Sequence, residues 1–119
     1  MTLKECYAAF GGDLDALLVR LPSDRLIGRL LRKFPEDSSF RDLCAAIPAG
    51  DLETAFRCAH NLKGLCLNLE LPGLLRSSSA LTDALRPGTE YLPKQAESLL
   101  KQVRQDYALV CDAIAQLDP

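Results

Sequence analysis

The apolar residues of this chain recur every three or four positions and almost never alternate, which is the period of an α-helix. The chain is rich in leucine and poor in β-branched and aromatic residues, which also favours helices. Proline and glycine interrupt the pattern at Gly11-Gly12, Pro22-Ser23, Pro35 to Ser39, Pro48 to Asp51, Pro72-Gly73 and Pro87 to Thr89. Proline lacks a backbone donor and glycine lowers the cost of leaving a helix, so each interruption predicts a helix boundary.

Residues that commonly begin helices precede the segments between these breaks. The first predicted helix is capped by Asp13 and ends near Leu21, and the second is capped by Ser23 and covers Asp24 to Phe34. The third is opened by a capping box in Ser39 to Asp42 and ends near Ile47, and the fourth runs from Asp51 to about Leu71. The fifth covers Leu74 to about Arg86 with Pro72 in its first turn, and the last begins at Pro93. The inward positions predicted for the last helix are Ala96, Leu99, Leu100, Val103, Tyr107, Val110 and Ile114. Short connections between long helices favour antiparallel neighbours. We therefore predict an all-α fold, an antiparallel up-and-down four-helix bundle with N-terminal helices that cap one end.

The length of 119 residues, 48% of them hydrophobic, fits a single domain over residues 1–119. A net charge of -2 argues against binding to nucleic acid, which needs a clustered basic surface. Charged residues interrupt every apolar stretch well before the roughly 18 residues that a membrane-spanning helix needs. The N-terminus has an early acid and no long apolar run, unlike a signal peptide. We therefore expect a cytoplasmic protein that binds neither nucleic acid nor membrane, and we expect it to be a monomer. The start at Met1 favours a free-standing protein, but the sequence leaves open a domain cut from a larger kinase.

Five cysteines, Cys6, Cys44, Cys58, Cys66 and Cys111, are spread over the chain without a Cys-x-x-Cys pair. With a single histidine in the sequence, a zinc site built from clustered ligands is not expected. We predict that the cysteines are small buried residues of the helices.

The one histidine, His60, lies in the middle of the helix predicted from Asp51. Successive residues of a helix are rotated by about 100°, which places the apolar residues of this segment on one broad face. That face comprises Ala55, Cys58, Ala59, Leu62, Leu65, Cys66 and Leu69, with Leu52 and Phe56 at its edge. His60 points about 140° away from the centre of this face. We therefore expect its imidazole to face solvent, unlike that of a core histidine with a buried partner.

The neighbours of His60 suggest a use for an exposed imidazole. Lys63 and Gly64 follow it by three and four residues, and Arg57 lies one turn before it. A glycine inside a helix costs about 1 kcal/mol relative to alanine, and clearance for a bulky group is one reason to keep it. Two cations beside that clearance favour an anion, although surface lysine and arginine are more often simply solvated. The combination suits a transferred phosphoryl group.

The hexapeptide Ala59-His60-Asn61-Leu62-Lys63-Gly64 resembles the Ala-His-x-Leu-Lys-Gly signature of the histidine phosphotransfer (HPt) domains of two-component phosphorelays. Further similarities are the acidic and apolar stretch Gly11 to Leu21, a helix that ends near Phe34, Gly50-Asp51 before the histidine helix, and Asn68-Leu69 after the motif. The resemblance implies an antiparallel four-helix bundle with an accessory N-terminal helix. It also implies that His60 is phosphorylated, that Lys63 contacts the phosphoryl group or the partner, and that Gly64 keeps the ring accessible.

The resemblance implies a phosphocarrier, which accepts a phosphoryl group on Nε2 of His60 from a receiver-domain aspartate and passes it to another. Neutral imidazole, with a reference pKa near 6.5, is nucleophilic around neutral pH without a dedicated base. Lys63, with Arg57, would offset charge on the phosphoryl oxygens. The receiver is expected to bring the Mg²⁺ and the acceptor aspartate, and a sensor or hybrid histidine kinase is the expected source. Since no G-x-x-x-x-G-K motif is present, we expect a carrier without its own nucleotide site or cofactor, not an enzyme.

The predicted receiver-docking surface comprises Phe56, Asn61 and Leu67, because apolar residues around a reactive group often mark a partner site. Phe56 lies at the edge of the apolar face and fits an inward orientation equally well. The family usually has a small residue where this chain has Leu67, and often glycine where it has Glu70. These departures leave the chemistry unchanged and put the identity of the partner in question.

Two other functions compete with the phosphocarrier. One is a helical adaptor that binds a signalling protein and carries no phosphate. The other is the dimerisation region of a sensor kinase, which also displays a histidine on a helical bundle. Those regions typically follow the histidine with an acid and, a few residues later, a proline; here Asn61 follows, and the next proline is Pro72.

Overall fold

The computed structural model describes all 119 residues, and its regular elements are all helices, as the sequence predicts. Its elements are α1 (Leu3–Ala9), α2 (Leu14–Arg20), α3 (Asp24–Lys33), a 3-10 turn (Phe34–Glu36), α4 (Ser39–Ala49), α5 (Leu52–Leu69), α6 (Pro72–Ala84) and α7 (Ala96–Ala115). No helix is both long and apolar enough to cross a membrane.

Four helices, α4 to α7, form the predicted bundle, in which each packs against the next along the chain. The bundle is closed where α7 returns to α4. There the ring of Phe40 stacks on that of Tyr107, with centroids 3.8 Å apart and planes 3° apart. All seven helices contribute to one cluster of buried apolar residues. Of the positions predicted to face inward on the last helix, Leu99 and Tyr107 are only half-buried, and the others are buried.

The first helix, α1, was not predicted, although the sequence carries its capping box at Thr2 and Glu5. The Thr2 hydroxyl accepts a hydrogen bond from the Glu5 N–H at 3.1 Å, and the Glu5 carboxylate accepts one from the Thr2 N–H at 2.9 Å. These bonds from Thr2 hold the pKa of the Glu5 carboxyl below its usual value.

The capping box predicted at Ser39 to Asp42 is wrong. Ser38 occupies the cap position without a side-chain hydrogen bond, and the Asp37 carboxylate instead accepts from the Ser39 N–H at 2.8 Å. The 3-10 turn is the reason, because it brings Asp37 directly before the first turn of α4. α4 also runs past Ile47 to Ala49, since a proline in the last turn, Pro48, removes only one hydrogen bond.

The turn between α4 and α5 is short and well defined, and it fixes where the histidine helix begins. Gly50 ends α4 with a φ of 72°, a left-handed conformation that favours glycine. Asp51 caps α5 as predicted, and its carboxylate accepts from the Thr54 N–H at 3.1 Å. Hydrogen bonds from the Thr54 side chain and backbone hold the pKa of Asp51 below its usual value.

The later helix boundaries differ from the prediction by two or three residues. α5 ends at Leu69, before the predicted Leu71, because Glu70 takes the left-handed conformation that Gly50 has at the end of α4. Its φ of 56° is the one positive value outside glycine. α6 begins with Pro72 at its first residue, and α7 begins at Ala96 instead of Pro93.

The two N-terminal helices, α1 and α2, hold the C-terminal end of α5, and we call this unit the N-terminal clasp. The Tyr7 hydroxyl donates to the Leu69 carbonyl at 2.8 Å. The Arg20 guanidinium donates to the carbonyls of Leu67 and Asn68, at 3.4 and 3.2 Å, and pairs with the Glu70 carboxylate at 3.0 Å. The last carbonyls of a helix have no partner within the helix, so the clasp supplies donors that α5 lacks. The prediction that N-terminal helices cap one end of the bundle is confirmed.

A glycine brings the clasp close enough to make these contacts. A Cβ atom at Gly12 would lie 2.6 Å from Cδ2 of Tyr7 and 2.8 Å from the carbonyl oxygen of Glu70. No side chain fits that space without displacing the ring or the backbone. Gly12 is therefore required for the contact between the clasp and α5.

Candidate functional site

His60 lies midway along α5 and is exposed, on the side of the helix away from the core, as the helical rotation predicts. Neither ring nitrogen takes part in a side-chain hydrogen bond within the chain. Both nitrogens are therefore accessible to a group that approaches from outside.

Phe56 lies one turn before His60 and supports its ring. The two rings are nearly parallel, with centroids 6.0 Å apart and planes 15° apart. Phe56 is half-buried and packs against the hydrophobic core. The sequence did not determine whether Phe56 faces the core or the surface. In the structure its side chain packs against the core and its ring lies next to the imidazole.

Space is open beside the histidine at Gly64. A Cβ atom at this position would meet no atom within 4 Å, so the predicted clearance is present. Gly64 lies inside α5 without a positive φ, which means that the backbone does not require glycine here. Neither close packing nor backbone conformation explains why this position lacks a side chain.

Two cations flank His60 on α5. Arg57 is exposed and Lys63 is half-buried. The ion pairs of the structure involve other residues, so neither cation has a carboxylate within 4.0 Å. The positive charges of Arg57 and Lys63, which no carboxylate of the chain neutralises, favour an anion next to the imidazole.

The residues predicted for docking all lie at the surface, but they do not form one line. Leu67 is 58% exposed and follows His60 by two turns, on the same side of α5. Asn61 is exposed and is rotated by about 100° around α5 from His60. Phe56 and Leu67 therefore place apolar surface before and after the imidazole, and Asn61 lies to one side.

The sequence did not indicate a groove next to this site. The groove has a volume of about 370 Å³ and is lined by Leu52, Glu53, Phe56, Leu85, Arg86, Pro87, Gly88 and Thr89. It forms where the start of α5 meets the end of α6, far away along the chain. The only sequence signal is the break at Pro87 to Thr89, which indicates a turn and not a groove.

The five cysteines are unpaired and have no part in the surface around His60. Cys6, Cys58 and Cys66 are buried as predicted, whereas Cys44 and Cys111 are half-buried. Burial raises the pKa of every one of these thiols, and that of Cys66 to about 12. At neutral pH they are protonated and weakly nucleophilic.

Comparison with protein-family models gives a match to the Hpt domain over residues 25–117. Comparison with curated proteins and with solved structures gives no match. The matched range contains α4 to α7 and all of α3 except its first residue, with all the residues around His60, and it leaves the N-terminal clasp outside. It covers most of the chain and agrees with the resemblance carried by the hexapeptide at Ala59 to Gly64. The chain belongs to the Hpt domain family, whose domains act as phosphocarriers in phosphorelays.

Proposed function

We propose that this protein carries a phosphoryl group on His60, which accepts it from the aspartate of one receiver domain and donates it to another. The observation that carries the proposal is an exposed imidazole with both nitrogens free, beside open space at Gly64 and two unpaired cations. Membership of the Hpt family supports the same chemistry.

The transfer needs little from this chain besides a placed nucleophile. The lone pair of Nε2 in the neutral ring attacks the phosphorus of an aspartyl phosphate, and the P–O bond to the aspartate breaks. The carboxylate leaves with the electron pair, and the ring loses the proton on Nδ1 to water. Phosphoryl transfer of this kind depends mainly on in-line positioning and on neutralisation of charge. The reverse sequence passes the group to the carboxylate of the next receiver.

Lys63 and Arg57 stabilise the transferring group in this proposal. Charge spreads over the three equatorial oxygens in the transition state, and preplaced cations lower its energy. Because neither residue is held by a carboxylate of this chain, each is able to turn towards the phosphoryl group. Gly64 leaves room for the phosphoryl group and for the part of the receiver that carries it.

The partner supplies the metal ion in this proposal. Mg²⁺ prefers carboxylate and phosphate oxygens, whereas the closest charged side chains along α5 from His60 are Arg57 and Lys63. We therefore assign the Mg²⁺ and the acceptor aspartate to the receiver, and the nucleophile and docking surface to this chain. A sensor or hybrid histidine kinase is the proposed origin of the phosphoryl group.

The docking surface is proposed to consist of Phe56, Leu67 and Asn61. The apolar pair lies before and after the imidazole, so a receiver that covers both also excludes water from the reacting atoms. Leu67 is large and exposed where the family usually has a small residue. The partner should accordingly offer an apolar contact at this position.

The experiment is transfer from receiver domains phosphorylated with labelled phosphate. Wild-type protein is expected to acquire an acid-labile label, which is typical of phosphohistidine, and His60→Gln is expected to acquire none. Because His60 is exposed and unbonded, His60→Gln should change the free energy of unfolding by no more than about 0.5 kcal/mol. Urea denaturation of both proteins provides this control. A loss of several kcal/mol would mean that the absence of label reflects unfolding.

The adaptor function gives a different outcome in the same experiment. An adaptor would bind the receiver equally well as wild type and as His60→Gln, and neither protein would be labelled. The exposed Leu67 is the observation that supports protein binding, which an adaptor shares with the phosphocarrier. Wild-type protein that stays unlabelled by a broad panel of receivers would overturn the phosphocarrier.

A further inference from the structure

Phe56 is the aromatic neighbour of the His60 imidazole, with ring centroids 6.0 Å apart. Side chains on a helix lean towards its N-terminus, which brings the ring of His60 next to that of Phe56, one turn earlier, with the two planes nearly parallel. One turn after His60, at Gly64, there is open space. Phe56 is therefore the one aromatic group that restricts the orientation of the nucleophile.

Stacking differs from hydrogen bonding in what it leaves free. The two nitrogens of imidazole direct a lone pair or a proton outwards in the plane of the ring. A hydrogen bond to a carbonyl or carboxylate would engage one of them, whereas contact with the face of the ring engages neither. The near-parallel arrangement, with planes 15° apart, thus limits rotation and keeps both nitrogens available.

Phe56 is itself held in place. It is half-buried, packs against the core, and forms part of the wall of the groove between α5 and residues 85–89. Leu67, the other apolar neighbour of the histidine, is 58% exposed and has no such support. Only Phe56 is anchored well enough to fix the ring that lies on it.

We infer that Phe56 is a positioning residue. By stacking, it holds the imidazole of His60 in the side-chain rotamer from which the ring reaches the phosphoryl group of a docked receiver. This inference rests on the proposed function. It assigns to Phe56 a second role besides docking, because in this role Phe56 acts on the nucleophile of its own chain.

The two roles predict different kinetics. In single-turnover transfer from a phosphorylated receiver, loss of a docking contact raises the receiver concentration at half-maximal rate. Loss of positioning lowers the maximal rate constant instead, because the docked complex then contains rings in unproductive orientations. Since an unconstrained histidine in a helix samples two χ1 wells and a broad, roughly two-fold χ2, the expected decrease is about two- to fivefold.

The variants are Phe56→Leu, which keeps an apolar side chain and removes the flat ring, and Phe56→Tyr, which retains the ring. We expect Phe56→Leu to show the decrease in maximal rate and Phe56→Tyr to keep the wild-type value. Leu65→Ala is the matched control, because Leu65 is also half-buried on α5 and packed against the core, but on the opposite flank. It should lower stability and leave the maximal rate unchanged.

Two further measurements test separately whether the rings stack and whether His60 remains reactive in each variant. Proton NMR of the His60 ring should show an upfield ring-current shift in wild type and Phe56→Tyr that is lost in Phe56→Leu. Labelling by phosphoramidate, a donor that needs no docking, should reach His60 in all variants. Equal maximal rates in Phe56→Leu and wild type, or a change in half-saturation alone, would overturn the inference. Wild-type protein that no acetyl-phosphate-loaded receiver labels would instead overturn the proposed function, and this inference with it.

Discussion

The middle of α5 and its C-terminal end differ in whether their polar groups form hydrogen bonds within the chain. At the end, the carbonyls of Leu67, Asn68 and Leu69 accept hydrogen bonds from Tyr7 and Arg20. In the middle, the imidazole of His60 has no hydrogen bond within the chain. Two glycines show the same contrast in packing. Gly12 lies in close contact with the end of α5, whereas a Cβ atom at Gly64 would meet no atom within 4 Å.

The difference separates the part of the helix that maintains the fold from the part that is available to a partner. Satisfied carbonyls and close packing hold the last turn of α5 firmly, which also fixes the direction of the residues before it. The unbonded middle contributes little to stability, and its groups remain free to bind. Substitutions at the two places should therefore affect different measurements.

The largest effect is expected for Gly12→Ala, at the clasp. The added methyl group would collide with the Tyr7 ring and the Glu70 carbonyl, so the clasp must shift away from α5. We expect the free energy of unfolding to fall by about 2–3 kcal/mol, the upper part of the usual range for overpacking, because one of the two collisions is with backbone. Urea denaturation measures it, and a loss below about 0.5 kcal/mol would show that the contact is loose.

A smaller loss is expected for Tyr7→Phe. Tyr7 is 1% exposed, and its burial raises the pKa of the phenol, so the hydroxyl remains a donor to Leu69. Removing it leaves a buried carbonyl without that partner, which costs about 1–2 kcal/mol. Amide hydrogen exchange should quicken in the last turn of α5 more than around His60. Equal quickening in both places would contradict a separate, clasped end.

The third variant, Gly64→Ala, is expected to increase stability, unlike the two substitutions in the clasp. Gly64→Ala adds a methyl group where nothing lies within 4 Å, inside a helix that favours alanine. We expect the free energy of unfolding to rise by about 1 kcal/mol. Phosphoryl transfer from a receiver should nevertheless slow, because the methyl group occupies the clearance beside the ring. A variant that is more stable and equally active would show that the open space has no use in transfer.

The smallest effect is expected for Glu70→Gly. Glycine relieves the left-handed backbone, which costs other residues about 1–2 kcal/mol, but the ion pair with Arg20 is lost. The pair is partly exposed and contributes at most about 1 kcal/mol, so the net change should be a stabilisation of less than about 1 kcal/mol. Glu70→Ala keeps the backbone strain and loses the pair, and thermal unfolding should rank it below both wild type and Glu70→Gly.

Local pattern was sufficient for the bundle and for the placement of His60. The apolar period of three to four residues gives the helices, and rotation along α5 gives the exposed face, because both depend on neighbours within two turns. The departure at Glu70 was visible in the sequence, but its partner Arg20 was not, since the two residues are far apart along the chain.

What the sequence did not reveal depends on contacts between distant segments or on competing local bonds. The bond from Tyr7 to Leu69 and the groove beside Phe56 join elements whose proximity is a property of the folded chain. The error at Ser39 has a local origin, because Asp37 provides the first acceptor of α4 in place of the expected serine. The stacking of Phe56 on His60 has a four-residue spacing, so helical geometry allowed it without selecting it over burial.

The free surface of α5 has a consequence for how such carriers diversify. Because Leu67 projects into solvent from the proposed docking surface, a new side chain there would change the surface offered to a partner without requiring any other residue to adjust. After gene duplication, two copies could acquire separate signalling partners through one or two such replacements, while both inherit the same scaffold and the same reactive ring.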